Sequence, residues 1–403
     1  ALRHPGAMSK PPDATEPGTS GTRPDEAGFE TLCTHFGEDR ASSFGAAAPP
    51  IVQTSTFVYP NAEAFGQRGE PDTPFWDYTR VGNPTTALLE AKLARLERGE
   101  WALAFASGMG AITAALQGCL AGGDHVVCVA SCYAPTRWYL DEVLARFGVG
   151  VTYVDGVATG DLLAALQPRT RLVYLESPTS GVFHVLDVPA LTAALASRGV
   201  LTVLDNSWAS PCFQNPLDLG CDLVLHSATK YIGGHSDVVA GIVVGRAPEL
   251  EKRVRRQAEL AGACLDPFAA WLLVRGLRTL VLRMAQHQAS GLAVARMLAG
   301  HPGVLAVHHP GLESHAGHEL ACCQLKGFAG LFSFALVDQS PEAARRFLNR
   351  LQLFSIGVSW GGHESLAIEM PRPPGSNGTR LIRLHCGLET TADLVADVQQ
   401  ALG

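Results

Sequence analysis

At 403 residues, 47% hydrophobic and 17% charged, the chain is far above the size at which burying a core is difficult, which excludes a disordered or fibrous protein. Its 31 basic residues are outnumbered by 38 acidic ones for a net charge of −7, with no run of Lys or Arg, and this argues against nonspecific binding of nucleic acid or of an anionic membrane. No stretch approaches the roughly 18 uninterrupted apolar residues of a membrane-spanning helix.

In chain order, residues 1–28 are rich in Pro, Gly, Thr and Asp and lack an apolar segment of signal-peptide type, which predicts a disordered tail. Residues 29–75 carry weak strand signals broken by Pro and Gly, the pattern of an extended arm that packs on a neighbouring subunit. From residue 101 the texture becomes regular. Short apolar runs at 102–106, 125–130, 151–154, 171–175, 201–204, 222–225 and 241–244 alternate with Ala/Leu-rich segments of helix length at 110–120, 135–146 and 188–197. Continuously apolar strands spaced by helices predict a mainly parallel sheet covered on both faces, here one large α/β domain over 76–265. Beyond it, an Arg-rich helical stretch over 250–298, a loop-rich region at 301–317, a strand at 332–336, a helix at 341–351 and a last strand at 381–385 predict a smaller α+β domain over 266–403. The ten cysteines are scattered with no C-x-x-C pair, which reads as reduced thiols in a cytoplasmic protein.

Three segments concentrate chemistry. Lys230, in His226-Ser227-Ala228-Thr229-Lys230-Tyr231, follows an apolar strand directly, with no acid beside it in sequence. Burial lowers an amine's pKa and makes it a nucleophile for a carbonyl. Asp205 ends a second buried run, at the carboxyl edge where ligands bind in such sheets, and it calls for a cationic partner. In Ala106-Ser107-Gly108-Met109-Gly110, small residues between a strand and a helix let backbone amides approach a phosphate. A dinucleotide fingerprint is the rival there, but Thr113 stands at its third glycine and the next strand run is followed by Ser131 rather than an acid. Tyr133 follows that strand and is placed to cover a flat ring. Singly, each feature has an ordinary explanation: a snorkelling lysine, an Asx turn, a helix cap, a half-buried aromatic. Together they describe a phosphate, a planar ring, a ring nitrogen needing an acid and an aldehyde needing an amine, which is pyridoxal 5′-phosphate (PLP).

From about Phe29 onward the chain resembles the Cys/Met-metabolism (trans-sulfuration) PLP enzymes. The resemblance rests on Tyr78-Thr79-Arg80 with Asn83-Pro84-Thr85, Ala106 to Met109, Asp205-Asn206-Ser207-Trp208, Ser227 to Tyr231, and Leu381-Ile382-Arg383-Leu384 with Gly387-Leu388-Glu389. It implies the aspartate-aminotransferase-like PLP fold type I. Lys230 would be the Schiff-base lysine and acid/base, Asp205 the partner of the pyridinium nitrogen, and Tyr133 the ring cap and a second acid/base. The phosphate would be held by the Ser107, Gly108 and Met109 turn with Ser227 and Thr229, and by Tyr78 and Arg80 of a neighbouring subunit in a homotetramer built as a dimer of dimers. Arg383 would clamp the α-carboxylate of a small amino-acid substrate, beside Ser359.

Within the family, two stretches resemble the cystathionine β-lyase branch: Ser180 in Leu175-Glu176-Ser177-Pro178-Thr179-Ser180, and Trp360 in Val358-Ser359-Trp360-Gly361-Gly362. They imply elimination of homocysteine from cystathionine, leaving pyruvate and ammonia. Val81, Trp138 and Val358 depart from that branch toward a more apolar distal pocket. γ-Elimination or γ-replacement is therefore the alternative, with an aminotransferase or a silent PLP-binding regulator further off. His301, His308, His309, His315 and His318 match no metal spacing and read as solvent-facing loop histidines, so no metal is expected. Cys132 reads as a buried core thiol.

Overall fold

The computed structural model describes residues 27–403 except 42, 69–72, 74, 156, 157 and 371. Nearly all of the tail expected at residues 1–28 thus lies outside the described residues. Seven strands form one sheet: β1 (Trp101–Phe105), β2 (His125–Val129), β3 (Gly150–Val154), β4 (Thr170–Glu176), β5 (Leu201–Asp205), β6 (Leu223–His226) and β7 (Gly241–Gly245). Their spatial order is β1-β7-β6-β5-β4-β2-β3. Every strand predicted in this region is present, within a residue or two at each end.

Only β7 runs against its neighbours. The connections into β2, β3, β4, β5 and β6 carry helical turns, which return the chain parallel. The β6–β7 connection, residues 227–240, has no helix and brings the chain back antiparallel. Strands β2, β6 and β7 are buried at every position, as a sheet covered on both faces requires.

A second sheet, ordered β10-β11-β12-β9-β8, is built from β8 (Val304–His308), β9 (Leu331–Leu336), β10 (Ser355–Ile356), β11 (Leu366–Met370) and β12 (Leu381–His385). Strand β8 lies inside the segment predicted as loop, and β10 and β11 were not predicted. Edge strand β8 is only partly buried, so it carries no continuous apolar signal. The long helical stretch resolves into three helices, Pro248–Ala261, Pro267–Leu277 and Leu280–Ala299, separated by Gly262 and by the N-caps Asp266 and Thr279. Pro267–Leu277 contributes Ala270, Leu273 and Val274 to the core around β6 and β7, and Val294 and Leu298 of Leu280–Ala299 enter the core of the second sheet. Leu280–Ala299 thus reaches into both cores, with Leu280 and Met284 in the first and Val294 and Leu298 in the second.

The start of the arm packs on its own chain. Helix Phe29–His35 buries Cys33 in the chain's own core, and Glu38 bridges the buried Lys92 (3.1 Å) and Arg278 (2.8 Å). Phe44 and Val58 further along remain exposed.

Candidate active site

The chemistry-bearing residues converge at the carboxyl ends of β4, β5 and β6 and on the turn after β1. Ser107 caps the helix Gly108–Cys119 by accepting the Gly110 amide at 3.0 Å, so the amides of Gly108 and Met109 open the helix with no partner inside it. Gly108 faces Ser227 so closely that an added Cβ would stand 3.0 Å from the Ser227 Cβ and Oγ. Ser227 donates its amide to the Ser207 Oγ at 2.6 Å, and that hydroxyl donates to the Asp205 Oδ1 at 2.6 Å. One hydrogen-bonded chain therefore ties the turn after β6 to the carboxylate ending β5.

Lys230 lies one turn beyond β6, its Nζ donating to the Ser359 Oγ at 2.8 Å and standing 5.4 Å from the centre of the Trp360 ring. Burial, then the Arg383 guanidinium, lower its pKa to about 8 despite the opposing pull of Asp205. Gly361, at φ +84°, rests on the Lys230 backbone, where a Cβ would come within 2.9 Å; no larger residue closes the loop over the lysine. Arg383 on β12 donates from Nη2 to the Val358 carbonyl (2.7 Å) and the Ser359 carbonyl (3.3 Å), which fixes the direction of the guanidinium. Tyr133 is 46% exposed at the head of helix Ala134–Trp138, and burial, then Asp205 and Glu176, raise its pKa.

The sequence reading missed two participants. Glu176 ends β4 in register with Asp205, is equally buried at 8% exposure, and accepts the Tyr133 amide at 2.8 Å. Burial, then Asp205, push it up to about 8. Its signal was available, since it ends an apolar run as Asp205 does. Glu97 is fully buried and accepts from His226 Nε2 (2.6 Å) and Asn206 Nδ2 (2.8 Å), the residues beside Ser227 and Asp205. No sequence signal marks it.

Other expectations are redirected. The Thr229 hydroxyl is committed to Ala240, accepting its amide at 3.0 Å and donating to its carbonyl at 3.2 Å. Ser180 hydrogen-bonds Glu176. Val358 is 85% exposed at the mouth, and Trp360 packs against Tyr231 and backs the lysine. Tyr78 and Arg80 stack together near Gln53–Ser55 and Cys264–Pro267, with Arg80 donating to the Glu259 carbonyl. Among the described contacts none joins them to Lys230.

Of the five loop histidines expected to face solvent, His301, His308, His315 and His318 are partly buried. His309 is wholly buried, and His301, His309 and His315 each accept the amide of the glycine two residues on, locking their loops. Among the described residues no group of His, Cys, Asp or Glu is arranged to hold a metal. Cys132 is buried, its Sγ 3.6 Å from that of Cys128.

The set fits PLP. Among the described residues, Oδ2 of the buried Asp205 has only the Tyr174 hydroxyl at 3.5 Å, which leaves it to a cation, and Lys230 carries an amine without an ion pair; the Gly108 turn leaves no room for a side chain, and its opening amides suit an anion.

Comparisons with known proteins agree. The family model described as Cys/Met metabolism PLP-dependent enzyme matches residues 30–403. The chain is 42% identical to an L-methionine γ-lyase of Pseudomonas deceptionensis, covering 93% of this chain and 97% of that one. It is also 42% identical to a cystathionine γ-synthase of Mycobacterium tuberculosis, covering 94% and 97%. A crystal structure of metB from Corynebacterium glutamicum superimposes with a TM-score of 0.88 at 35% identity, over 94% of this chain and 98% of that one.

Proposed function

This chain belongs to the Cys/Met-metabolism family of PLP-dependent enzymes, and from that premise we propose that it catalyses γ-elimination of a small, uncharged thiol from an L-amino acid of the methionine type. Its cofactor is PLP, and its chemistry is that of carbon–sulfur lyases. The β-lyase reading drawn from Ser180 and Trp360 gives way to its γ alternative. Relatives named for γ chemistry span nearly the whole chain, while Ser180 is turned to Glu176 and Trp360 to Lys230.

The observation that carries the mechanism is the Lys230 amine, held at 2.8 Å by Ser359 with its pKa lowered to about 8 beside Arg383 and Asp205. Bound PLP supplies an electron sink for negative charge at the substrate Cα. Asp205 would stand against the ring nitrogen, Gly108, Met109 and Ser227 would hold the phosphate, and Arg383 would receive the substrate carboxylate. Burial and the Arg383 guanidinium make Lys230 lose its proton more readily than an ordinary lysine, and unprotonated it takes the proton from Cα and, for a γ reaction, a second from Cβ. The Tyr133 hydroxyl, kept protonated by its raised pKa, gives a proton to the departing thiolate. Water completes the balance: L-methionine and water become methanethiol, 2-oxobutanoate and ammonia. The exposed Val358 and Trp138 offer no charge to recognise a distal ammonium group, which favours a short apolar leaving group.

Tyr78 and Arg80, which no described contact joins to their own Lys230, would serve a second copy in a homotetramer with shared sites. Its free cysteines suit a reducing cytoplasm, and no described helix is long and apolar enough to cross a membrane. The test is product analysis of the PLP-loaded protein with L-methionine and with L-cystathionine. Methanethiol with 2-oxobutanoate supports the proposal. Pyruvate with homocysteine from cystathionine, and no thiol from methionine, refutes it.

A further inference from the structure

Glu176 and Asp205 end adjacent parallel strands in register, so their side chains leave the same face of the sheet about 4.8 Å apart. Both are buried, and neither forms an ion pair among the described residues. Two adjacent buried carboxyl groups do not both ionise. Asp205 Oδ1 accepts two bonds from Ser207, from the hydroxyl at 2.6 Å and from the amide at 3.0 Å, and this supports an anion. Glu176 accepts from Ser180 and from the backbone amide of Tyr133. Tyr133 opens the short helix Ala134–Trp138 without a side-chain cap, and its ring is half exposed. Its amide bond to Glu176 at 2.8 Å ties this turn to the end of β4.

We propose that Glu176 is a positioning residue: its carboxyl oxygen receives the Tyr133 amide and so fixes the aromatic ring over the cofactor. The inference rests on the reading of Tyr133 as the ring cap.

The experiment measures PLP affinity by equilibrium titration and the induced circular dichroism of bound PLP, alongside kcat and KM. Glu176→Gln, neutral and still an acceptor, is expected to keep the affinity within about three-fold and the dichroic band intact. Glu176→Ala, and Glu176→Met if the alanine variant fails to fold, lose the acceptor; affinity should weaken about ten-fold, the band should shrink, and kcat should fall more than KM rises. Unchanged affinity and band in the acceptor-free variants would overturn the inference, as would Glu176→Gln behaving like Glu176→Met, since that makes charge rather than acceptance the requirement. Tyr133→Ala separates the two levels. Loss of the band there while Glu176→Met keeps it sinks the inference alone; an intact band in Tyr133→Ala sinks the reading of Tyr133 and the inference with it.

Discussion

Glu97→Ala tests whether the floor of the site is held by a residue that touches no ligand. The carboxylate accepts from His226 Nε2 at 2.6 Å, Asn206 Nδ2 at 2.8 Å and Asn215 Nδ2 at 3.3 Å, all buried. After truncation Asn206 keeps the Gln214 carbonyl at 3.0 Å and Asn215 keeps the Leu96 carbonyl at 2.9 Å, whereas the His226 Nε2–H is left bare. A bare buried donor costs about 1–3 kcal/mol and each weakened amide bond about 1 kcal/mol. The loss is about 4 kcal/mol, in the range for breaking a buried pair. At roughly 2 °C per kcal/mol for a chain of this size, melting of the cofactor-free protein should drop by roughly 8 °C. Glu97→Gln keeps one oxygen for His226 and Asn206 and gives up the weakest bond, so its drop should be less than half as large. Because Asn206 follows Asp205 and His226 precedes Ser227, PLP affinity should fall in the same order. Thermal melts by fluorescence at fixed protein concentration check both. A Glu97→Ala melt within about 2 °C of the wild type, or equal losses in the two variants, would refute the reasoning.

Three further outcomes follow from the geometry. Gly108→Ala places a methyl group 3.0 Å from Ser227 and should weaken PLP binding about ten-fold by titration, with little change in melting of the cofactor-free protein. Arg383→Ala should raise KM for the amino-acid substrate by about 10–100-fold with the PLP spectrum intact; Arg383→Lys should not rescue it, because one ammonium cannot both hold the Val358 and Ser359 carbonyls and receive a carboxylate. Lys230→Met bears on pH. The folded-state pKa of Lys230 lies below its unfolded value, so the charged amine destabilises the cofactor-free protein fully below about pH 8 and not at all once pH exceeds about 10.5. The methionine variant should be the more stable at pH 7, by about 1–2 kcal/mol after screening, with the gain vanishing toward pH 10.5 in denaturant titrations. A gain that grows with pH would contradict the sign.

The first sheet was legible from the sequence because its strands are buried on both faces and therefore written as continuous apolar runs, each ended by a polar residue where the chain leaves the core. The same rule marked Asp205 and Lys230, which emerge at strand ends, and the small residues of the Gly108 turn. It failed for β8, whose partly exposed edge carries no such run, and for the histidines, whose loop-locking bonds to nearby glycines look in sequence like solvent-exposed polarity. Partnership between distant segments was beyond it. Glu97 lies 129 positions from the His226 it accepts from, and Glu176 lies 43 from Tyr133. Local propensity and periodicity decide which residues face inward. Which buried acid meets which donor is set by strand order and register, and these exist only once the sheet has closed.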